Sequence, residues 1–291
     1  FDFSDDQKML RDQARKFLAE KSSRKVVRDV LNDAAKSHDP VLWKGVAEQG
    51  WLGVAIPEEH GGLGLGGLEL CVLAEEIGRA VAPIPFWATL ALGALPIAEF
   101  GSAAQKAAFL PGVVAGQIVL SGAFEEADSD DPAKPSTRAT RDGAAFRLSG
   151  TKVCVPAARL AARILVPASV GGGRVGLFLV DPKGPGVKLE MQTATNREPI
   201  ATLRLQRARV KAQDVLGALS RGRQMIAWTT ERAITGLCAL QVGVAERALR
   251  MTASYTSERK QFDRPIGSFQ AVHQRAADAY IQLEAMRLTM Q

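Results

Sequence analysis

Apolar residues recur at helical spacing at both ends of the chain, which predicts that these ends fold as helices. Residues 2–31 predict a surface helix, and residues 43–51 predict a second, shorter one. Residues 225–255 predict a long helix, and residues 271–291 continue the same periodicity. Because no terminator follows at Gln291, we expect the C-terminal helical region to be incomplete in this chain.

The middle of the chain changes to short β-like runs after Gly116. Runs of strand length with β-branched enrichment occupy residues 119–124, 145–155, 163–167, 175–180 and 201–210. Asp142-Gly143 and the three glycines 171–173 are turn signals between such runs. Strands this close together, without helices between them, predict an antiparallel barrel or sandwich.

One uncharged stretch, residues 80–98, is almost long enough to cross a membrane. Pro83, Pro85 and Pro96 leave room between them for a helix of only about three turns. We therefore predict a buried helix of a soluble protein and no membrane association.

The charges and the cysteines exclude several classes of function. The formal net charge is +6 at pH 7, but the basic residues are dispersed, without a run of like charge. This distribution makes nucleic acid an improbable partner and favours a small polyanion such as coenzyme A. The three cysteines and three histidines are far apart, which predicts no metal site and no disulfide framework. We therefore expect a reducing, cytoplasmic location.

Three glycines have the spacing of a dinucleotide-binding loop. Gly62, Gly64 and Gly67 fit the G-x-G-x-x-G spacing. That motif needs a preceding strand and a following acidic residue for the ribose, whereas helical patterns lie on both sides here. We therefore reject a Rossmann interpretation.

The segment between the last two helical patterns, residues 257–270, combines directed polar groups with two aromatic rings. Pro265 and Gly267 interrupt the periodicity, and Ser268 is the predicted N-cap of the following helix. An arginine fork, two amides and a ring suit a phosphate, a ribose and an adenine. A solvated interhelical loop without a ligand is the alternative interpretation.

This segment resembles the C-terminal motif of the acyl-CoA dehydrogenase family. The resemblance rests on Arg259-Lys260-Gln261-Phe262, Pro265-Ile266-Gly267 and Phe269-Gln270-Ala271-Val272, and weaker similarity covers essentially the whole chain. It implies that the segment crosses a subunit interface and holds the adenosine-diphosphate part of FAD bound mainly by the neighbour. The residues so implied are Arg259, Gln261, Phe262, Phe269 and Gln270. FAD as cofactor and a homo- or hetero-oligomer follow from the same resemblance.

The resemblance also implies the α+β fold of that family. An N-terminal helical domain would cover residues 1–117, a middle antiparallel β-barrel residues 118–217, and an incomplete C-terminal helical bundle residues 218–291. The order of helical, β and helical patterns along the chain agrees with this division.

The chemistry implied by the resemblance is oxidation of an acyl-CoA thioester to a 2-enoyl-CoA, with electron-transferring flavoprotein as the usual acceptor. A carboxylate takes the α-proton, so its pKa must be raised by desolvation. Glu231 occupies a position resembling that of the base in a minority of the family, and Arg232 resembles a residue supporting the substrate side. Apolar neighbours suit a desolvated carboxylate: Ala227, Trp228, Ala233 and Ile234. The alternative is a surface carboxylate, or an ion-pair partner of Arg232 or Arg223.

Two further motifs of the family are altered in this chain. Phe124 stands where a Thr beside the flavin ring is expected, and Asp130 where a Ser of the following turn is expected. Cys154 replaces an aromatic residue, and Pro156 replaces a second Thr, so that a hydroxyl and a backbone N–H are lost. Extra carboxylates at Glu125, Glu126, Asp128 and Asp130 would repel phosphates that lay close.

Three functions remain open from the sequence. The first is an FAD-dependent acyl-CoA dehydrogenase, either by itself or as one subunit of a heteromer in which it lends contacts to a partner with a full pocket. The second is a non-catalytic, flavin-site-completing or regulatory subunit of the same fold. The third is a flavin monooxygenase of that fold.

Overall fold

A computed structural model describes residues 3–33 and 35–290, and its elements follow the predicted order of helices, strands and helices. The helices are α1 Asp5–Lys21, α2 Arg24–Leu31, α3 Pro40–Glu48, α4 Gly67–Arg79, α5 Phe86–Thr89, α6 Leu95–Phe100, α7 Ala103–Val114, α8 Gly222–Glu258 and α9 Gln270–Met290. The strands are β1 Leu120–Gly122, β2 Arg138–Asp142, β3 Ala145–Pro156, β4 Arg163–Gly171, β5 Arg174–Val180, β6 Val187–Thr193, β7 Pro199–Lys211, β8 Val215–Leu216, β9 Lys260–Gln261 and β10 Arg264–Pro265. Asp2 and Gln291, which bounded predicted helices, lie outside the described residues.

The predicted helix over residues 2–31 is wrong in one respect, because it is divided into α1 and α2. Ser4 caps α1 in a capping box with Gln7, and Ser22 ends it. The Ser22 hydroxyl donates to the carbonyl of Ala80 at 3.3 Å, which fixes the chain at this break. The Ser23 hydroxyl accepts the N–H of Val26 at 3.4 Å, and a local bond of this kind favours a new helix start over continuation of α1.

The uncharged stretch forms a helix of mixed geometry. A π-helical segment, Leu90–Ala94, joins α5 to α6 and is buried throughout. No helix among the described residues is both long and apolar enough to cross a membrane.

The main sheet has eight strands, in the order β6-β7-β3-β2-β4-β5-β8, with β1 also paired to β4. Its pairings are antiparallel except that β1 and β2 run parallel to β4. The hairpins predicted at Asp142-Gly143 and at residues 171–173 connect β2 to β3 and β4 to β5. The sequence patterns missed β2, β6 and β8, since β2 and β6 carry mostly exposed or half-exposed polar side chains and β8 is two residues long.

The described chain forms two compact units that differ from the predicted three domains. The first unit consists of three segments: the residues up to Val27, Gly67–Ala82, and the residues from Ile234 onward. It is helical apart from the small hairpin formed by β9 and β10. The other consists of residues from Arg28 to Gly66 and from Pro83 to Ala233, and it contains the main sheet. The division into domains at residues 117 and 217 stays a prediction.

In the helical unit, α4 and α8 approach so closely that glycine is required on both. A Cβ on Gly78 would collide with the backbone of Leu240, and a Cβ on Gly243 would collide with the backbone of Glu75. Such close approach of two helices is the reason for glycine within a helix, where it otherwise costs stability.

Buried ion pairs hold α9 against this helix pair. The Arg287 guanidinium lies 2.8 Å from Glu75 and 3.2 Å from Glu246, and Arg15 lies 2.6 Å from Glu76. Burial raises the pKa of Glu75 from its ordinary value, and Arg287 opposes that shift. Because one arginine bridges carboxylates of α4 and α8, it fixes α9, the helix that follows the segment predicted to bind a flavin.

Candidate functional site

The segment predicted to bind the adenosine part of a flavin is a short hairpin and not an open loop. Strands β9 and β10 pair Gln261 with Arg264 and Lys260 with Pro265. The two turn residues, Phe262 and Asp263, have φ values of 54° and 60°, as a two-residue type I′ turn requires. Neither is glycine, so the turn is strained in each residue by about 1 to 2 kcal/mol. We call residues Lys260–Pro265 the interhelical hairpin.

The interhelical hairpin presents its side chains outward. The Phe262 side chain is 86% exposed and contacts the Phe269 ring edge-to-face at 6.1 Å. Arg264 stacks over Phe269 at 4.2 Å. Arg259, directly after α8, and Gln270, at the start of α9, are exposed. Gln261 is also exposed, and its amide donates to the carbonyl of Lys260. An exposed ring flanked by guanidinium and amide donors is an arrangement that can bind a nucleotide.

Ser268 is not the N-cap of α9, contrary to the prediction. Its hydroxyl donates to the carbonyl of Pro265 at 2.7 Å, within a 3₁₀ turn over Ile266–Ser268. α9 begins two residues later, at Gln270. The polar side chain therefore stabilises the hairpin end and leaves the helix without a side-chain cap.

The structure brings the two altered motifs side by side. The backbone N–H of Val153 donates to the carbonyl of Glu125 at 3.0 Å, and the Ser121 hydroxyl donates to the carbonyl of Pro156. Cys154 is exposed and lies in a bulge of β3 with φ of 54°. We call Phe124, Cys154 and Pro156 the ring-side residues, since the resemblance assigns them to the flavin ring.

Phe124 packs against the turn of α8 that carries the candidate base. Its half-buried ring joins the cluster of Ala91, Leu92 and Ala233 together with Trp87. Trp87 Nε1 donates to the carbonyl of Ala233 at 2.8 Å. The ring-side residue Phe124 and the Glu231 turn are therefore neighbours, as one site would require.

Glu231 itself does not lie in the apolar setting that its sequence neighbours predicted. Its side chain is 76% exposed, and Arg232 is its ion-pair partner at 3.9 Å. Ala227 and Glu231, one helical turn apart, lie on a face of α8 that the described residues leave open, whereas Ala233 faces the core. The described residues therefore do not desolvate Glu231.

Arg232 is held in place by an aromatic ring. Its guanidinium lies 3.7 Å from the centroid of the Trp228 ring and donates to the carbonyl of Trp228 at 3.2 Å. Trp228 in turn contacts Phe100 edge-to-face at 5.1 Å. A guanidinium stacked in this way is pre-oriented at little entropic cost, which suits its predicted supporting role.

A buried ion pair beneath the ring-side residues was not predicted. Lys152 Nζ lies 2.7 Å from Glu126 Oε1, with the side chains 0% and 2% exposed. Glu126 also accepts hydrogen bonds from the backbone N–H groups of Ser136 and Thr137. Glu126 is therefore neutralised internally, and it does not repel a bound phosphate as the sequence had suggested. Glu125, Asp128 and Asp130 remain exposed.

Each residue of this pair stabilises the charged form of the other. Burial alone would raise the pKa of Glu126, but Lys152 and the hydrogen bonds at Thr137 outweigh it and hold that pKa below its ordinary value. Burial lowers the pKa of Lys152, and Glu126 opposes the shift. One signal in the sequence identifies the buried lysine: Lys152 has the same strand parity as Phe146 and Leu148, whose side chains point inward.

The residues present fit FAD at one end only. The interhelical hairpin offers exposed donors and a ring to a nucleotide. Among the ring-side residues, Phe124 lacks a hydroxyl and Pro156 lacks a backbone N–H. These two positions therefore lack the donors that the resemblance implies for the isoalloxazine ring, whereas the exposed groups implied for the adenosine-diphosphate part are present.

Two family models match the chain. The N-terminal domain of acyl-CoA dehydrogenase matches residues 4–117, and the C-terminal domain of acyl-CoA dehydrogenase matches residues 217–291. The acyl-CoA dehydrogenase FadE27 of Mycobacterium tuberculosis is 35% identical over 260 residues, which cover 89% of this chain and 67% of FadE27.

Solved structures share the fold over nearly the whole chain. A Tcur3481-Tcur3483 steroid ACAD variant superposes with a TM-score of 0.90 at 44% identity, covering 98% of this chain and 76% of that one. The ChsE4-ChsE5 complex from Mycobacterium tuberculosis superposes with a TM-score of 0.92 at 31% identity, covering 99% of this chain and 77% of that one. These likenesses confirm the α+β fold predicted from the sequence.

Proposed function

Because this chain belongs to the acyl-CoA dehydrogenase family, whose cofactor is FAD, we propose that it is one subunit of a heteromeric acyl-CoA dehydrogenase. The assembled enzyme oxidises an acyl-CoA thioester to a 2-enoyl-CoA and passes the electrons to an electron-transferring flavoprotein. This chain lends its interhelical hairpin to FAD whose ring is held by the partner. The observation that carries the proposal is the contrast between the exposed hairpin and the ring-side residues.

The hairpin supports the lending role through its exposure and its rigidity. Phe262 leaves most of its apolar surface in water, and the type I′ turn holds it there although neither turn residue is glycine. Strained backbone and a large exposed ring both cost free energy in the isolated chain. Burial of Phe262 against a bound nucleotide would recover part of that cost.

The ring-side residues support the assignment of the ring to a partner. A flavin ring needs donors for its nitrogen and oxygen atoms, and an unpaired polar group in a buried site costs about 1 to 3 kcal/mol. Proline at position 156 and phenylalanine at position 124 supply no donor from their side chains. The likeness to the ChsE4-ChsE5 complex favours a heteromer over a homo-oligomer.

The first substrates to test are CoA thioesters with a steroid-derived acyl group. The structure that shares 44% identity with this chain is a steroid ACAD. The rate of oxidation is measured as the decrease in absorbance of an artificial electron acceptor.

A non-catalytic subunit that only completes the flavin site is the second candidate function. The exposure of Glu231 favours it, since a base for an α-proton needs desolvation. In that case the partner supplies the base, and this chain supplies contacts to the adenosine part of FAD.

We predict that the chain assembles into a dimer or a larger oligomer. Arg259, Gln261 and Phe262 are exposed in the single chain, so they are available to a flavin held by another subunit. Sedimentation velocity at micromolar concentration, with the partner present, is expected to show the complex. A stable monomer under these conditions would count against the proposal.

Arg259→Ala is expected to lower the affinity of the complex for FAD by about ten- to a hundred-fold. A charge-assisted hydrogen bond to a phosphate contributes about 1.5 to 3 kcal/mol. Flavin release is measured by equilibrium dialysis of the co-purified complex. Arg247→Ala, which removes an exposed arginine from α8, is the control and should retain FAD. Equal occupancy in both variants would remove Arg259 from the flavin site.

A further inference from the structure

The outward face of three adjacent strands carries a group of basic side chains that the proposed function does not use. Arg147 of β3 lies opposite Arg209 of β7. We call each line of residues paired across the strands a row. In the row on one side, Arg138 of β2 lies opposite Ser149, whose hydroxyl accepts the backbone N–H of Arg207. In the row on the other side, Lys211 lies opposite Ala145. We call Arg138, Arg147, Arg207, Arg209 and Lys211 the basic face.

The charge of the basic face is largely uncompensated. Asp142 lies 2.7 Å from Arg147 and is about half exposed. Arg147 lowers the pKa of Asp142, and Arg209 and Arg207 add to that effect. Within residues 3–33 and 35–290, the other members of the basic face form no ion pair.

Two features of the basic face are unfavourable in the free chain. Arg147 and Arg209 are like charges directly opposite each other on paired strands, which destabilises a sheet. Arg207 has a φ of 54°, a left-handed conformation in a bulge of β7. Anions bound between the guanidinium groups would remove the repulsion.

We propose that the basic face binds an extended acidic peptide segment of another protein, with Asp or Glu at alternating positions. Alternate residues of a strand are about 7 Å apart, so the rows of the basic face repeat at that distance. Carboxylates at alternate positions of an extended peptide repeat at the same distance. The two rows that carry arginines can each receive one carboxylate in the bidentate geometry that guanidinium groups favour, whereas Asp142 lies in the row of Lys211.

A nucleic acid fits the basic face less well. Three rows span only about 14 Å, and the outward side chains of these rows include no aromatic ring on which a base could stack. The basic surface does not continue onto β6, where Glu190 pairs with both Arg204 and Lys188. The proposal is independent of the flavin site, since none of its residues belongs to the hairpin or the ring side.

The test is fluorescence anisotropy of labelled peptides with the full chain at low ionic strength. An octapeptide with four Glu alternating with four Ser is expected to bind at least about three-fold more tightly than its isomer with the four Glu in one block. The double variant Arg147→Gln/Arg209→Gln should weaken the binding about five- to twenty-fold, because exposed pairs contribute up to about five-fold each. Lys183→Gln, an exposed charge change on the β5–β6 connection, should leave it within about two-fold.

A second variant separates lost binding from lost folding. Thr140→Glu places a carboxylate next to Arg147 in the central row and should weaken peptide binding while the thermal midpoint is kept. Equal binding of both peptides, no binding below about 1 mM, or an unchanged affinity in the double variant would overturn the proposal. Tighter binding of a single-stranded oligonucleotide of equal charge would also overturn it, in favour of a nucleic-acid surface.

Discussion

Glu231→Gln is expected to lower turnover of the assembled enzyme by about 10²- to 10⁴-fold while acyl-CoA binding is kept. The amide has nearly the same shape as the carboxylate but cannot accept the α-proton. The single chain leaves Glu231 exposed, so the effect requires that assembly buries it. Turnover is measured with an artificial electron acceptor, and binding by the change in flavin absorbance when the acyl-CoA is added.

A matched control separates the loss of a base from the loss of a charge. Glu48 is an exposed helical carboxylate of the same unit, paired with Lys44 at 3.6 Å. Glu48→Gln should leave turnover unchanged. If Glu231→Gln also stays within a few-fold of the wild type, Glu231 is not the base, and the non-catalytic interpretation of this subunit is favoured.

Lys152→Met is expected to destabilise the chain by about 3 to 5 kcal/mol. The substitution leaves Glu126 buried and charged without its cationic partner, and breaking a buried pair on one side has that cost. The free energy of unfolding is measured by urea denaturation. Because Glu126 anchors the backbone at Ser136 and Thr137, the segment between β1 and β2 should also become more susceptible to proteolysis.

Lys188→Met is the control for this substitution. Lys188 pairs with Glu190 at 3.1 Å, but its side chain is 70% exposed, so its loss should cost at most about 1 kcal/mol. The pH dependence gives a further check. The lowered pKa of Glu126 means that its contribution to stability is present above the ordinary pKa of a glutamate, about 4.3, and is lost as the pH falls below it. In Lys152→Met this loss of stability on acidification should disappear or reverse. Equal destabilisation in both lysine variants would contradict the assignment of the buried pair.

The sequence predicted those elements in which buried apolar side chains recur at the regular spacing of a helix or a strand. The five runs on which the β prediction rested all form strands, because each buries a continuous or alternating set of apolar side chains. The strand β2 was missed because its outward side chains are charged and one residue, Ala139, points inward. The break between α1 and α2 was missed because it depends on a contact of Ser22 with Ala80, which lies far away in sequence.

The site was predicted only in part. A family resemblance identified the segment from Arg259 to Gln270, but its periodicity did not predict a hairpin, since Phe262 and Asp263 are unusual in a type I′ turn. The ion pair of Lys152 with Glu126 depends on the path of the segment between β1 and β2, which no local pattern encodes. The apolar sequence neighbours of Glu231 predicted a desolvated carboxylate, but residues adjacent in a helical sequence lie on different faces of the helix.

Flavin titration of the isolated chain tests the central claim most directly. We expect that the chain alone binds FAD weakly and that it is colourless when purified. Co-expression with a family member whose ring-side motifs are intact should then give a yellow complex that retains FAD. If the isolated chain instead holds stoichiometric FAD with submicromolar affinity, the lending role is wrong, and the chain is a homo-oligomeric flavoprotein with unusual contacts to the ring.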